Sequence, residues 1–296
     1  MEYKEFLDKL VIELSKQTRG HVSVHINHIL KNNHSPMDSI TIRMEGENAA
    51  PAIYTERFYR QYKDGMSMEE VVSQVLSYHY EHKICGHFDV SLYLDFEKIK
   101  SGIVCRIVNY EKNREMLTNV PYMRFLDLAV IYYHRIEDPV FGNASILIRK
   151  SHLEMWNISD KELNDIAMKN TRDQGISVLE IGTLVDELED ISEKNLELLY
   201  PMYVMTNPDR CFGAVNMIFS EVLETIAEKA GGNYYLLPSS VHECMIVPDD
   251  GECMFDPQNM KQMVMDVNHT IVIDEEILSD SVYYYIRDRR ILVLAA

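Results

Sequence analysis

The chain is 296 residues long, 46% apolar and 26% charged, which is the composition of a folded globular protein. Its 47 acidic residues against 29 basic ones give a formal charge of −18. That balance argues against sequence-independent binding of DNA or RNA and against an anionic membrane surface, since both depend on Lys and Arg; it permits basic partners or imitation of nucleic-acid charge, with solubility as the ordinary reason.

Residues 2–17 carry Phe6, Leu7, Leu10, Val11 and Leu14 at helical spacing, with Gly20 as a stop. HVSVHINH follows at 21–28, where Val22, Val24 and Ile26 alternate with polar residues, and SITIRME resumes the alternation after the turn sequence KNNHSPMD. Residues 21–45 therefore predict a β-hairpin. On a strand His21 and His25 share a face roughly 13 Å apart while His28 faces the other way, so the three do not converge on one metal ion. Tyr54, Phe58, Tyr59 and Tyr62 predict an aromatic helix ended by Gly65. Ser67 and Glu70 form a capping box before Val71, Val72, Val75 and Leu76.

From Gly102, GIVCRIVNY reads as a strand with Asn113 in the turn region after it. In VPYMRFLDLAVIYYHRIE the first half reads as a helix start and the second as a buried strand, with ASILIRKSHLEMW as a strand paired to it. Ser159 and Glu162 open a helix carrying Leu163, Ile166 and Ala167, and residues 180–198 predict an amphipathic helix with an acidic outer face. MYVMTNPD is a short strand ending in a turn, and FGAVNMIFSEVLETIAEKAGG a long helix stopped by Gly231 and Gly232. NYYLLPSSVHECMIVPDDG gives two strand pieces around Pro238. Asp256 and Pro257 start a helix whose buried side is Met260, Met263, Val264 and Val267, and SVYYYIRDRRILVL is a terminal hairpin.

Strand, helix, strand over 202–247 suits a crossover unit, whereas the rest suits hairpins. The fold class is α+β, with mixed, largely antiparallel sheets and packed amphipathic helices. Residues 1–90 read as a helix, hairpin and helix lobe and 91–296 as a larger α+β lobe, with a single domain as the alternative.

Cys85, Cys105, Cys211, Cys244 and Cys253 are odd in number and include no C-x-x-C, against both a disulfide framework and a four-thiolate zinc site. MEYKEFLDKL has no signal-peptide core, and no apolar run approaches the roughly 20 residues of a membrane helix. The expected setting is a reducing cytoplasm, with no membrane, nucleic-acid, metal or cofactor binding.

No phosphate-binding loop, dinucleotide turn, nucleophile elbow or kinase signature occurs. His242-Glu243 begins like the zinc-protease motif, but Ile246 stands where the second His belongs. Glu81 and Lys83 with Asp64 are too near a helix end to form a nuclease set. The Met residues of the 257–268 helix read as core filler or as an adaptable binding surface, and Tyr283, Tyr284 and Tyr285 as a buried cluster or a contact surface, the buried reading being favoured.

Several stretches in order, KNN at 31–33, APAIYTERFYRQYKDG at 50–65, VPYMRFLDLAVIY at 120–132, MYVMTN at 202–207, NYYLLPSSVHE at 233–243, MVMDVN at 263–268 and EEILSDSVYYY at 275–285, resemble a family of proteins from anaerobic gut bacteria known as a domain of unknown function. The resemblance spans nearly the whole chain, implies a cytoplasmic, full-length bacterial protein and assigns no catalytic residue. Within these stretches Asn207, Ser239, His242, Glu243 and Asn268 lie at element ends, where polar groups converge on a cleft or cap the backbone. The leading reading is a non-enzymatic interaction or regulatory protein with a protein partner. The alternatives are a hydrolase or small-molecule-binding enzyme around His242 and Glu243, or an acidic mimic of nucleic acid.

Overall fold

The computed structural model describes residues 1–18, 22–29, 32–33, 37–44, 50–82, 93–138, 142–181, 202–249, 251 and 256–296. The expected helix at 180–198 lies almost wholly outside them. The architecture is α+β, with antiparallel sheets, and the chain divides into two units: Met1–Leu94 with Glu137–Ala144, and Asp95–Ile136 with Ser145–Ala296.

In the first unit α1 (Tyr3–Gln17) buries Phe6, Leu7, Leu10 and Leu14, the stripe that its spacing dictates. Strands β1 (Val22–Ile29) and β2 (Met37–Met44) form the expected antiparallel hairpin, with Val24 opposite Ile42 and Ile26 opposite Ile40. Its turn uses Asn33 at φ +60°, a conformation Asn tolerates well. The apolar face meets α1, and His25 points to solvent. His21 and the side chain of His28 lie outside the described residues.

Tyr54 is not helical: it sits in β3 (Ile53–Tyr54), paired with β2, and the helix α2 (Glu56–Lys63) starts after it. Thr55, fully buried, shares a hydrogen bond with the Tyr3 hydroxyl at 2.6 Å and donates to the Asp38 carbonyl at 3.0 Å, which fixes the end of the strand there. Phe58 enters the core, while Tyr59 and Tyr62 lie 5.2 and 5.4 Å from the Phe6 ring. Gly65, at φ +107°, lets the chain turn into α3 (Met68–Glu81). There the capping box is complete: the Glu70 N–H donates to Ser67 Oγ at 3.2 Å, and the Ser67 N–H donates to Glu70 Oε2 at 2.9 Å.

The second unit opens with the short α4 (Phe96–Ile99) and the strand β4 (Ile103–Asn109), followed by a one-turn helix α5 (Arg114–Leu117). The expected helix start near 120 is instead β5 (Tyr122–Phe125), in a hairpin with β6 (Leu128–Asp138). Leu126 takes φ +54° to make that turn, a conformation that a Leu gives no reason to expect. β7 (Gly142–Leu147) pairs with β6 as expected, but the rest of that stretch folds as α6 (Lys150–Trp156), burying Leu153 and Trp156. Helix α7 (Asp160–Asp173) starts on Ser159, whose Oγ accepts the Glu162 N–H at 3.2 Å. It lies on β4, where Thr171 Oγ1 accepts the Cys105 N–H at 2.8 Å.

The larger sheet has the order β13-β12-β10-β11-β9-β8, from β8 (Ser177–Glu180), β9 (Tyr203–Thr206), β10 (Tyr234–Leu237), β11 (Cys244–Pro248), β12 (Tyr283–Ile286) and β13 (Ile291–Leu294). Each adjacent pair is antiparallel, so β9 and β10 run parallel with β11 inserted between them. The expected crossover is therefore present, one strand wider than the minimal unit.

Its connecting segment is not one helix. Gly213–Ile218 is a 3-10 turn, Phe219 is extended, and only then does α8 (Ser220–Ala230) begin, stopped by Gly231 at φ +80°. α8 covers one face of the sheet, where the Tyr234 hydroxyl donates to the Leu223 carbonyl at 3.1 Å. The last helix, α9 (Pro257–Thr270), covers the other face with Met260 and Val264 against Leu237, Val247 and Val282. Met263 and Val267, expected inside, point outward. Among the described residues no helix is long and apolar enough to cross a membrane.

Candidate functional site

The loop after β9 is tied down by its own first residue. Asn207 accepts the Cys211 N–H on Oδ1 at 3.0 Å and donates from Nδ2 to the Cys211 carbonyl at 2.8 Å. That closes a turn in which Arg210 and Phe212 both take positive φ, +50° and +57°. Gly213 follows because nothing larger fits: a Cβ there would lie 2.4 Å from the Asn207 nitrogen and 2.5 Å from Thr206 Oγ1. The Gly213 N–H and the Thr206 hydroxyl both donate to the His242 carbonyl, each at 2.9 Å.

His242 lies in the connection before β11 and is 24% exposed. Its Nδ1 accepts the Phe212 N–H at 3.1 Å, its Nε2 stands 3.3 Å from Glu276 Oε1, and its ring tilts against Phe212 at 4.9 Å. A backbone N–H is always a donor, so Nδ1 must carry the lone pair and Nε2 the proton given to the carboxylate. Both ring nitrogens are thus committed, and the lone pair that a general base needs is already taken. Sequence reasoning had no means of finding Glu276, which lies 34 residues further along the chain.

Ser239 belongs to the same connection. Residues 238–241 pair with 276–279: the Ser239 carbonyl accepts the Leu278 N–H, and the Val241 N–H donates to the Glu276 carbonyl, both at 2.8 Å. The polar side chains on that second segment continue the network. Asn268 donates to the Ser279 carbonyl at 3.1 Å and to Asp280 Oδ1 at 2.7 Å, while its own Oδ1 is buried without a hydrogen-bond partner. Asp127, in the β5–β6 turn, accepts from Ser279 at 2.7 Å, from Ser281 at 3.1 Å and from the Tyr283 hydroxyl. Burial and the Asp127 carboxylate push the Tyr283 hydroxyl well above the ordinary tyrosine range.

Asn207, Ser239, His242 and Asn268 therefore fall along one polar seam joining loops of the second unit, whereas Glu243 is exposed and stands apart from it. Asp127, Glu276, Phe212 and Arg106 belong to the seam and its flank and were not singled out from the sequence. For two of them a signal existed: in IVCRIVN and FLDLAV a single charged residue interrupts an apolar run of sequence. Arg106 lies against Phe212, its Cζ 3.6 Å from the ring centroid, and against Tyr133 at 4.0 Å. Tyr283 and Tyr285 are buried, so the tyrosine run is core rather than contact surface. Burial also pushes the Cys105 thiol up to about 12, and raises that of Cys244. Among the described residues no group of three His, Cys, Asp or Glu side chains is placed to hold a metal ion.

A second feature lies on the outside of α9. Met263 and Val267, four residues apart on the helix, are 58% and 38% exposed, and Ile271, the residue just past its end, is 75% exposed, with Ile273 beyond it. Asp266 lies beside this stripe, and Asp274 and Glu275 follow it in the chain.

Sheets of this order, crossed by α8 and α9 and joined by an internally bonded polar seam, define an α+β protein whose conspicuous polar residues serve its own scaffold. The chain belongs to the Family of unknown function (DUF5688), whose model matches residues 3–287. No curated protein and no solved structure matches it.

Proposed function

We propose that this is a non-enzymatic interaction or regulatory protein that docks its partner on the outward face of α9. The observation that carries the reading is the exposed pair Met263 and Val267 on a helix whose opposite face is already buried, continued by Ile271 just past its end. Methionine beside branched aliphatics makes an adaptable apolar surface. Asp266, Asp274, Glu275 and the charge of −18 favour a partner segment that is helical, apolar on one side and basic on its flanks. The double commitment of the His242 ring counts against the hydrolase reading. The free thiols of Cys105, Cys211 and Cys244 support a reducing setting, which we take to be a bacterial cytoplasm.

The test uses a synthetic amphipathic helix of Leu and Lys as probe and the full chain as target, with binding read by fluorescence anisotropy. Val267→Lys with Ile271→Lys should weaken binding at least tenfold, whereas Glu228→Lys on α8, which shifts net charge by the same amount, should change it little. Equal weakening by both would reduce the effect to bulk electrostatics and remove the docking face; self-association through the stripe would replace the basic partner by a second copy.

A further inference from the structure

Arg106 is the one charged residue of β4, a strand that is otherwise apolar except at its terminal Asn109. The β4–β6 register sets Val104 opposite Tyr133 and Arg106 opposite Ile131, so Arg106, Tyr133 and Arg135 share a face. The guanidinium lies 4.0 Å from the Tyr133 ring centroid and 3.6 Å from that of Phe212, and has the Cys211 thiol within electrostatic reach. Burial, and to a lesser degree the positive charge of Arg135, lower its proton affinity.

Arg135 has a carboxylate of its own, Asp209 at 3.4 Å. Arg106 has none among the described residues. A guanidinium partly withdrawn from water gains from meeting an anion. Ring contacts use its flat faces, which leaves its N–H edge suited to a planar, two-pronged acceptor.

The geometry points to a binding site in which Arg106 anchors a small organic carboxylate, with the apolar body of the ligand lying along Phe212 and Tyr133. The class follows from shape and charge together. A planar carboxylate matches the fork bidentately. With Arg135 already matched by Asp209, the site offers about one uncompensated positive charge, which suits a monoanion better than a phosphate dianion. His242 acts as a positioning residue here: its Nδ1 holds the Phe212 N–H, and its ring braces the Phe212 ring that lies on Arg106. This site is independent of the α9 face.

The experiment titrates the full chain with benzoate, acetate and inorganic phosphate by calorimetry and by thermal unfolding. Benzoate should bind and raise Tm, acetate should bind more weakly, and phosphate least. Arg106→Lys, which keeps the charge and loses the fork, should weaken benzoate at least tenfold. Cys211, exposed beside the guanidinium, supplies a second readout: benzoate should slow its alkylation by iodoacetamide several-fold, as mapped by mass spectrometry, and should lose that protection in the Arg106→Lys variant. Absence of benzoate binding, unchanged affinity in the variant, or binding of phosphate in preference to benzoate would each overturn the assignment.

Discussion

The first unit and the seam of the second hold themselves together by opposite means. Around Leu10, Val71 and Ile40 the contacts are apolar and without direction, so the core asks mainly for volume. Around Asp127 and His242 the contacts are hydrogen bonds between loops distant in sequence, and each atom must be a donor or an acceptor as required. The first region should therefore forgive a change of shape that keeps size, and the second should punish a change of chemistry that keeps shape.

The contrast is sharpest at Leu10. Leu10→Ala should destabilise by roughly 4 kcal/mol through the cavity it leaves, whereas Leu10→Met should cost less than about 1.5 kcal/mol; hydrogen exchange over residues 3–17 and 68–81 would register both. Asp127→Ala, which strands three hydroxyl donors, should cost roughly 3 kcal/mol, and the near-isosteric Asp127→Asn still about 2 kcal/mol. If the Asn variant were as stable as the wild type by chemical denaturation, direction would matter less here than the bonding pattern implies. Gly213→Ala should cost about 2 kcal/mol by forcing its methyl group into the Thr206–Asn207 backbone, and exchange over 206–213 should rise.

The smallest effect tests the local end of the comparison. Ser67→Ala should cost about 1 kcal/mol by removing the N-cap of α3. The reciprocal bonds from Ser67 hold the Glu70 carboxyl below its usual range. A depressed folded-state pKa contributes stability that is present above the unfolded value and lost as pH falls through the folded one. The difference between variant and wild type should therefore shrink in acid, below the ordinary carboxylate range, in denaturation series measured across pH.

The same division explains what could be read in advance. Short-range signals carried through: the α1 stripe, the Val22–Ile26 alternation, the Ser67 box, the Gly231 stop and the terminal hairpin each depend on residues a few positions apart. Failures arose where tertiary demands override local preference. Leu126 is bent into a left-handed turn, Phe219 is drawn out straight between two helical pieces, and Tyr54 pairs with β2 instead of joining the helix beside it. Of the five polar candidates, four lie on the seam, at element ends where loops meet; Glu243 does not, since its neighbours turn inward and leave it to solvent. The partners that give the seam its chemistry, Asp127 and Glu276, come from far along the chain, and no pattern in one sequence pairs them with Tyr283 or His242.

The insertion of β11 between two parallel strands bears on how the chain is made. During synthesis β9 and β10 leave the ribosome about 30 residues apart, yet they share no ladder; the strand that joins them, Cys244–Pro248, emerges last of the three. Until it arrives, β9 has one bare edge, its other being paired with β8, and β10 has two, since β12 follows later still; one edge of each, with unpaired N–H and C=O groups, faces the same empty slot. A chain with β10 already outside the ribosome and Cys244–Pro248 still within it would be at its most adhesive, and a strand from a second nascent chain would be the natural intruder.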